Sequence, residues 1–233
     1  MHGAGAIAGN PVGGYWTVHF ESRVPRTELF EVRIALSKSS LGFFILLISS
    51  AVIASLGLIS NSTAVVIGAM IVAPLMDPIL SLAFGLAVSD GKLIRRSAVT
   101  IGFGVLAVIG TAALISLGLG ISHVQSEITG RTSPNLIDLG IAIAASVAGS
   151  FSMMRKHVSN SIAGVAIAVA LVPPLCVSGI GITLGSEMVA VFGRGTVAGL
   201  TNQIAEGSFL LFLANLIGIT VTSLVVFLVQ RYG

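Results

Sequence analysis

The longest stretch of the chain without charge covers residues 39–76, which contain no Asp, Glu, Lys or Arg. As one helix these 38 residues would be about 57 Å long at about 1.5 Å per residue. A bilayer's hydrocarbon core is only about 30 Å thick, so the stretch must turn. Its longest polar cluster is Ser60, Asn61, Ser62 and Thr63. The pattern predicts two membrane-crossing helices joined at this cluster.

The composition excludes a soluble globular protein. Hydrophobic residues are 55% of the 233 positions and charged residues 9%, whereas about a quarter of the residues in soluble domains are charged. The net charge of +3 is too small to indicate a nucleic-acid partner. A single cysteine, Cys176, excludes a disulfide framework and a cysteine-rich metal site. The N-terminus lacks a basic segment followed by an apolar one, so we expect no cleaved signal peptide.

We predict an all-α integral membrane protein with an N-terminal extension, 1–38, and one membrane domain, 39–233. In the extension, Leu29, Val32 and Leu36 recur at helical spacing and indicate an amphipathic helix on the membrane surface. The alternation of Val32, Ile34 and Leu36 leaves a strand open as an alternative. The membrane domain contains six apolar segments, which we predict as spans at 41–59, 63–88, 97–120, 136–154, 160–185 and 208–230.

The distribution of lysine and arginine predicts the orientation. With the N-terminus inside, ten of these residues fall on the cytoplasmic side, and only Arg131 and Arg194 fall outside. We therefore expect both termini to be cytoplasmic, in a bacterial inner membrane. The alternative makes segments two and five re-entrant hairpins, but it would place Lys92, Arg95 and Arg155 outside.

Two segments of the chain resemble each other. Asn61-Ser62 precedes Pro74 by the same intervals at which Asn160-Ser161 precedes Pro173. Each half, 39–120 and 136–231, has three predicted spans, so the second half begins on the opposite side of the membrane. The sequence thus predicts a 3+3 inverted repeat whose second and fifth spans are broken at proline, which is typical of transporter sites. Prolines that merely kink these spans are the alternative. The candidate breaks are at Pro74, Pro78, Pro173 and Pro174.

Asp77 is the only ionisable residue deep in a predicted span. A charge there is costly unless a partner or water offsets it, which indicates an ion or proton site beside the first break. Alternatively, Asp77 caps a half-helix that begins at Pro78. The other candidate pathway residues are polar groups before the two breaks, which could contact a solute or cap helices: Asn61, Ser62, Asn160 and Ser161.

Motifs for known catalytic chemistry are missing. The chain has no HExxH, no phosphate-binding GxxxxGK[ST] and no cluster of cysteine and histidine. We therefore predict no enzyme activity, no cofactor and no metal site.

The stretch from Ser62 to Leu80, which contains IGAMIVAPLMDP, resembles the signature of the domain of unknown function 389 family. The stretch from Ala163 to Leu175, which contains AVALVPPL, resembles its second motif. The resemblance extends over about 41–224 and implies a multi-pass membrane protein of bacteria, without implying a substrate. Family members often have glycine where this chain has Asp77, which argues against a family-wide role for that carboxylate.

These observations favour a small-solute or ion transporter or channel whose pathway lies near the two breaks. A non-transporting membrane scaffold or sensor is the alternative, and an intramembrane enzyme is a third class that the missing motifs disfavour. The expected partners are the lipid bilayer, an unidentified small solute or ion, and further copies of the chain in a homo-oligomer.

Overall fold

The computed structural model describes residues 23–121, 124–155, 160–184, 189–192, 195–198 and 201–230, with side chains at 23–121, 124–155, 171–184 and 204–230. These residues form helices and one antiparallel hairpin. The helices are α1 (Arg26–Leu36), α2 (Leu41–Ile59), α3 (Thr63–Val72), α4 (Met76–Ala87), α5 (Gly91–Leu119), α6 (Ser126–Thr129), α7 (Leu136–Met153), α8 (Asn160–Thr183) and α9 (Thr201–Val229). The hairpin pairs β1 (Val189–Phe192) with β2 (Gly195–Ala198).

Within the described residues, four helices are long and apolar enough to cross a membrane: α2, α5, α7 and the part of α9 from Ile204 onward. A fifth crossing results if α3 and α4, whose axes differ by 54°, are counted as one bent span. Large apolar side chains such as Leu41 and Leu114 are exposed on these helices, at 78% and 73%. In water this surface would be unfavourable, so the chain is a helical membrane protein.

Local capping explains where the helices begin. The Ser40 hydroxyl accepts a hydrogen bond from the Phe43 amide at the start of α2. The Asp90 carboxylate accepts from the amides of Lys92 and Leu93, so α5 begins six residues before the predicted span. The Asn135 side chain accepts from the Asp138 amide at the start of α7.

α8 lies at the centre of the bundle. It packs against α5, α7 and α9 and also contacts α2 and α3. Its described side chains from Leu171 to Ile180 are buried. A Cβ atom at Gly179 would lie 2.5 Å from the Ile109 carbonyl oxygen of α5, so the absence of a side chain there permits the close approach of the two helices.

The fifth predicted span is not broken, and the prediction of a break at Pro173 and Pro174 is wrong. Both prolines lie inside the continuous helix α8. A proline removes one amide donor and crowds the preceding turn. Here, α8 is packed against helices on several sides, and most of its described side chains are buried. This packing keeps the backbone helical through the two prolines. The matched pair of breaks is therefore reduced to one interruption, between α3 and α4.

The N-terminal helix α1 turns a different face inward from the one its pattern predicts. Leu29 is buried as expected, but Val32 and Leu36 are 43% and 39% exposed. Arg33, one helical turn after Leu29, is 2% exposed. A charged side chain is rarely buried without a partner, and the partner of Arg33 lies in α4.

The bundle has two distinguishable ends. The basic end carries α1, the start of α5 and the end of α7. The Val24 amide before α1 donates to the Met154 carbonyl after α7 at 3.0 Å, and the Thr100 hydroxyl of α5 donates to the Ser37 carbonyl after α1 at 2.9 Å. The opposite end carries the α2–α3 turn, α6 and the end of α8, where the Thr183 hydroxyl donates to the Ser116 hydroxyl at 2.6 Å.

Candidate functional site

The interruption between α3 and α4 results from Pro74. Ala73, the residue before it, has an extended backbone with ψ of 120°, as expected because proline disfavours helical geometry in its predecessor. Pro78 has no such effect, since it lies in the first turn of α4, where the backbone amides have no helical partners. Asp77 also lies in this first turn. Leu75 occupies the N-cap position, so Asp77 is not the cap that was considered as an alternative.

A buried hydroxyl compensates for one carbonyl at the interruption. The Ser50 hydroxyl of α2 donates to the Ala69 carbonyl at 2.7 Å, and Ser50 is fully buried. In a helix that continued, this carbonyl would accept from the amide of residue 73. An unsatisfied carbonyl in a membrane interior costs several kcal/mol, so Ser50 stabilises the interruption. Nothing in the sequence distinguishes Ser50 from Ser49 beside it.

Asp77 forms an ion pair with the buried arginine of α1. The Arg33 Nη1 atom donates to Asp77 Oδ1 at 3.3 Å, and the side chains of Arg33 and Asp77 are 3% and 36% exposed. Burial lowers the pKa of Arg33, and the charge and hydrogen bond of Asp77 oppose that shift. The Arg33 carbonyl also accepts from the Ser81 hydroxyl of α4 at 3.4 Å. These contacts join α1 to the first turns of α4.

A cavity of about 580 Å³ opens at the basic end and reaches this ion pair. Its polar lining is Lys38, Ser39, Ser40 and Asp77, and Pro74 also lines it. We call it the Asp77 cavity. Because Lys38, Ser39 and Ser40 of the α1–α2 connection line the same cavity, the exposed part of Asp77 faces polar surroundings.

A second cavity, of about 240 Å³, opens at the opposite end. Arg131 and Asp138 lie near its mouth, and Asn215 of α9 supplies a buried amide. We call it the Asn215 cavity. Met70 of α3 and Pro174 of α8 line it as well, so it contacts both α3, one turn before the interruption, and the second proline of the central helix.

The two cavities approach the same helix interruption from opposite ends. Met70 lines one and Pro74 lines the other, and three residues lie between them along the chain. The cavities share no lining residue among those described. Ala69 and Leu75, which adjoin Met70 and Pro74 in the chain, are almost completely buried. The arrangement provides two polar openings separated by about one turn of α3 and the interruption itself.

Asn61 and Ser62 line neither cavity. Asn61 has a left-handed backbone, with φ of 54°, and its side-chain oxygen Oδ1 accepts from the Ser126 hydroxyl at 2.9 Å and the Glu127 backbone amide at 3.0 Å. It therefore caps α6. Ser62 is the N-cap of α3 but makes no side-chain capping bond. α8 begins at Asn160, and the side chains of Asn160 and Ser161 lie outside the described residues.

A tether joins the α2–α3 turn to the segment that bears α6. The Thr63 hydroxyl donates to Glu127 Oε1 at 2.5 Å, and Arg131 Nη1 lies 2.7 Å from Glu127 Oε2. The hydrogen bond from Thr63 is the main cause that holds the pKa of Glu127 below its ordinary value of 4.5, and the hydrogen bond and charge of Arg131 lower it further. Since Arg131 also lines the Asn215 cavity, the tether positions one side of that cavity's mouth.

Sequence reasoning missed three residues of this region: Arg33, Ser50 and Asn215. Arg33 carries a detectable signal, because it lies one turn after Leu29 on the same helical face. Asn215 is the sole side-chain amide between Ser208 and Val229 in the sixth predicted span. Like Asp77, it is a strongly polar group deep in an apolar segment, and this position makes it a candidate. Among the described residues, no group of three His, Cys, Asp or Glu side chains is placed to bind a metal ion.

Comparison with known proteins shows the family of the chain. The sequence model of the family called Domain of unknown function (DUF389) matches residues 70–221. The chain belongs to this family. The matched region contains every lining residue of the Asn215 cavity but excludes Arg33.

The chain is also 31% identical over 211 residues to an uncharacterised protein of the archaeon Methanocaldococcus jannaschii. The aligned region covers 91% of this chain and 60% of that protein, so the chain spans about 60% of the relative's length. No solved structure matches the chain significantly.

Proposed function

We propose that this membrane protein transports a small solute or ion between the Asn215 cavity and the Asp77 cavity. The observation that carries the proposal is the approach of both cavities to one interrupted helix, with Met70 on one side and Pro74 on the other. Interrupted helices near the midplane are used by transporters because their free backbone groups and helix ends can contact a solute. The two cavities share no described lining residue, and Ala69 and Leu75 beside them in the chain are buried, which favours alternating access or a closed gate over an open pore.

The dimensions of the Asn215 cavity limit the cargo. Its volume of about 240 Å³ equals that of about eight water molecules at roughly 30 Å³ each. The lining combines Arg131, Asp138 and Asn215 with apolar Met70 and Leu211. A small solute or a partly hydrated ion fits such a site, and a large organic molecule does not.

We further propose six spans with both termini on the cytoplasmic side. α8, with 24 residues, would be about 36 Å long and would be the sixth crossing. The concentration of lysine and arginine at the basic end favours the cytoplasm for that end. A cell membrane is the proposed location.

The packing pattern supports the inverted repeat despite the single interruption. In the first half, α2, the α3–α4 pair and α5 pack on one another, and in the second half α7, α8 and α9 do the same. Between the halves, α5 packs on α8 and α4 packs on α9. When the two halves are exchanged, α5 takes the place of α9 and α8 takes the place of the α3–α4 pair. The contact of α5 with α8 then becomes the contact of α9 with α4, as a two-fold axis in the membrane plane would require.

A flux measurement tests the transport proposal. Purified protein in vesicles would be given gradients of Na⁺, K⁺, H⁺ and Cl⁻ in turn, with ion-sensitive dyes inside. We expect a flux of at least one ion above that of empty vesicles. Met70→Trp should abolish it, because the indole fills the Asn215 cavity. Leu114→Trp is the matched control, since Leu114 is 73% exposed on α5.

Access measurements extend the test to solutes outside that panel. A cysteine at Met70 should react with a membrane-impermeant thiol reagent from one face, and a cysteine at Ser40 from the other. Cys176 is buried and should not interfere. Absence of any flux, together with unchanging access to Met70→Cys under all solutes tried, would count against transport.

The alternative of a scaffold or sensor has one observation in its favour, which is the docking of α1 through Arg33. In that case the N-terminal segment would detach and report on the membrane domain without any flux. Detachment of α1 in vesicles that carry no flux of ions or solutes would favour this second function.

Assembly into a homo-oligomer is part of the proposal. The small residues Gly140, Ala144 and Ala148 of α7 are exposed on one face of the bundle, and small residues permit close packing of membrane helices. Crosslinking of cysteines placed at Ala144 and Ala148 should give dimers or larger species in membranes. We propose neither an enzyme activity nor a cofactor, and no nucleic-acid partner.

A further inference from the structure

A third cavity, distinct from the proposed pathway, concentrates positive charge at the basic end. It has a volume of about 620 Å³ and is lined by four cationic side chains, those of Lys38, Lys92, Arg95 and Arg96. We call it the Arg95 cavity. It shares Lys38 and Ser39 with the Asp77 cavity, so the α1–α2 connection separates the two.

Secondary structure fixes the walls of the Arg95 cavity. Lys92, Arg95, Arg96 and Val99 follow one face of α5, since their spacing of three, four and seven residues corresponds to adjacent helical turns. The facing wall is the α1–α2 connection. It is held to α5 by the Thr100 hydroxyl, which donates to the Ser37 carbonyl at 2.9 Å.

Among the residues that the structure describes, no carboxylate lines this cavity. The ion pairs in that part of the chain join Arg33 to Asp77 and Arg131 to Glu127, so no described acidic side chain compensates the charge of the cavity. The nearby Asp90 carboxylate accepts from the amides of Lys92 and Leu93 and so caps α5. Four converging cations repel one another, and a multivalent anion between them would relieve the repulsion. Phosphate oxygens suit arginine, whose planar donors bind two oxygens at once.

The surface below the Arg95 cavity indicates the source of the phosphate. Along the same side of α5, Val99, Phe103 and Leu106 are 48%, 58% and 67% exposed. From Arg96 to Leu106 the helix rises about 15 Å, which is half of a hydrocarbon core of about 30 Å. A cationic pocket that continues into an exposed apolar face matches a phospholipid, with its phosphate above and its acyl chains below.

We infer that the Arg95 cavity binds the phosphate group of an anionic phospholipid in the leaflet at the basic end. Basic cavities between membrane helices on the cytoplasmic side are suited to such headgroups. The positive-inside rule accounts for lysine and arginine at this end, but it requires neither a cavity nor their convergence on one. The bound lipid bridges α5 and the α1–α2 connection, and it thereby stabilises the position of α1.

The test measures binding of lipid to the full chain purified in a mild, uncharged detergent. Phosphatidylglycerol, phosphatidylcholine and inorganic phosphate would be titrated separately, with Tm and native mass spectrometry as readouts. We expect phosphatidylglycerol to raise Tm and to remain bound, and phosphatidylcholine to do neither. Stabilisation by inorganic phosphate at the same concentration would overturn the lipid as the source of the phosphate. Equal effects of the two lipids would overturn an anion site.

Variants distinguish a defined site from general attraction to a charged surface. Arg95→Gln with Arg96→Gln should weaken phosphatidylglycerol binding about 25-fold, at about fivefold for each charge near the membrane. The matched control is Arg23→Gln with Arg26→Gln, which removes two exposed charges at the same end and should leave the affinity nearly unchanged. An equal loss of phosphatidylglycerol affinity in the two double variants would show that no defined site exists.

A charge-conserving pair keeps the test decisive if the glutamine variants fail to insert. Arg95→Lys with Arg96→Lys retains the charge that directs topology but loses the planar donors. We expect its affinity to fall below that of the unaltered chain, with normal insertion. Unchanged affinity in this pair, in a correctly inserted protein, would overturn the role given to the two guanidinium groups.

Discussion

The guanidinium of Arg33 donates to the carboxylate of Asp77 at 3.3 Å, which joins the N-terminal helix to the first turn after the helix interruption. Arg33 is buried, whereas a third of the Asp77 side chain is exposed to a cavity. The negative charge also lies at the N-terminal end of α4, where the helix dipole favours it. The Asp77 charge is therefore held by an arginine on one side and a helix end on the other.

Removal of the Asp77 charge should cost more stability than removal of Arg33. Asp77→Asn leaves a buried guanidinium without a counterion and should lower the free energy of unfolding by about 1–2 kcal/mol. This loss is smaller than for a fully buried pair, because Asp77 is partly exposed. Arg33→Met replaces the arginine by an apolar side chain of similar length, so its cost should be smaller. Thermal unfolding of both single variants and of the double variant measures their coupling. Glu31→Gln, on the exposed face of α1, is the control.

The double variant decides the interpretation. If the pair acts as a unit, Arg33→Met with Asp77→Asn should be no less stable than Asp77→Asn alone, because no buried charge remains. Simple addition of the two single losses would contradict a direct interaction. Any ion-dependent flux should also change in Asp77→Asn, while insertion stays normal.

Loss of the Ser50 hydroxyl should destabilise the interruption. Ser50→Ala leaves the Ala69 carbonyl without its donor in a buried environment, and an unsatisfied buried acceptor costs about 1–3 kcal/mol. Ser49→Ala is the matched control, because Ser49 is exposed on the same helix. Chemical unfolding in detergent compares the two. Equal stabilities of the two variants would remove the reason for assigning Ser50 this role.

A methyl group at Gly179 should separate two central helices. Its Cβ would lie 2.5 Å from the Ile109 carbonyl oxygen and 2.8 Å from the Ala112 Cβ, so α8 and α5 must move apart. Overpacking of this kind costs about 1–3 kcal/mol. Gly110→Ala, at an exposed position with no atom within 4 Å, should be neutral or stabilising, because alanine favours helix. Retained stability in Gly179→Ala would contradict the close contact of α5 with α8.

The helices themselves follow closely from the sequence. The predicted segment 41–59 and α2 share the same bounds, and 136–154 differs from α7 by one residue. Hydropathy determines these bounds, because a membrane helix must match the thickness of the apolar core. α5 and α9 begin six and seven residues earlier than the predicted spans. A hydropathy pattern does not detect a polar first turn that lies outside the apolar core. The start of α5 is determined instead by the side-chain cap of Asp90.

Tertiary contacts are harder to predict than helices. Proline spacing predicts two breaks, but the outcome depends on the environment: Pro74 interrupts its helix, whereas Pro173 and Pro174 do not. The orientation of Arg33 depends on Asp77, which lies 44 residues away. The two cavities arise from gaps between packed helices, and no local pattern encodes them. The sequence identified Asp77 as a candidate without identifying its partner.

The Glu127 tether should be pH-dependent. Because the folded pKa of Glu127 is below its ordinary value of 4.5, the carboxylate stabilises the folded arrangement fully above about pH 4.5. That stabilisation is lost as the pH falls through the lowered pKa, when protonation weakens the bonds to Thr63 and Arg131. The loss should be modest, since the pair lies near the surface and is screened by solvent.

Spin labels on either side of the tether measure its release. Labels on cysteines at the exposed positions Ala64 and Gln125 should give a narrow distance distribution at neutral pH. The distribution should broaden as the pH falls through the lowered pKa of Glu127, which lies below 4.5. Glu127→Gln should broaden the distribution at every pH and remove its pH dependence. Asp138→Asn, which alters another carboxylate at the same cavity mouth, should keep the transition. A narrow, pH-dependent distribution in Glu127→Gln would show that a different group holds the segment in place.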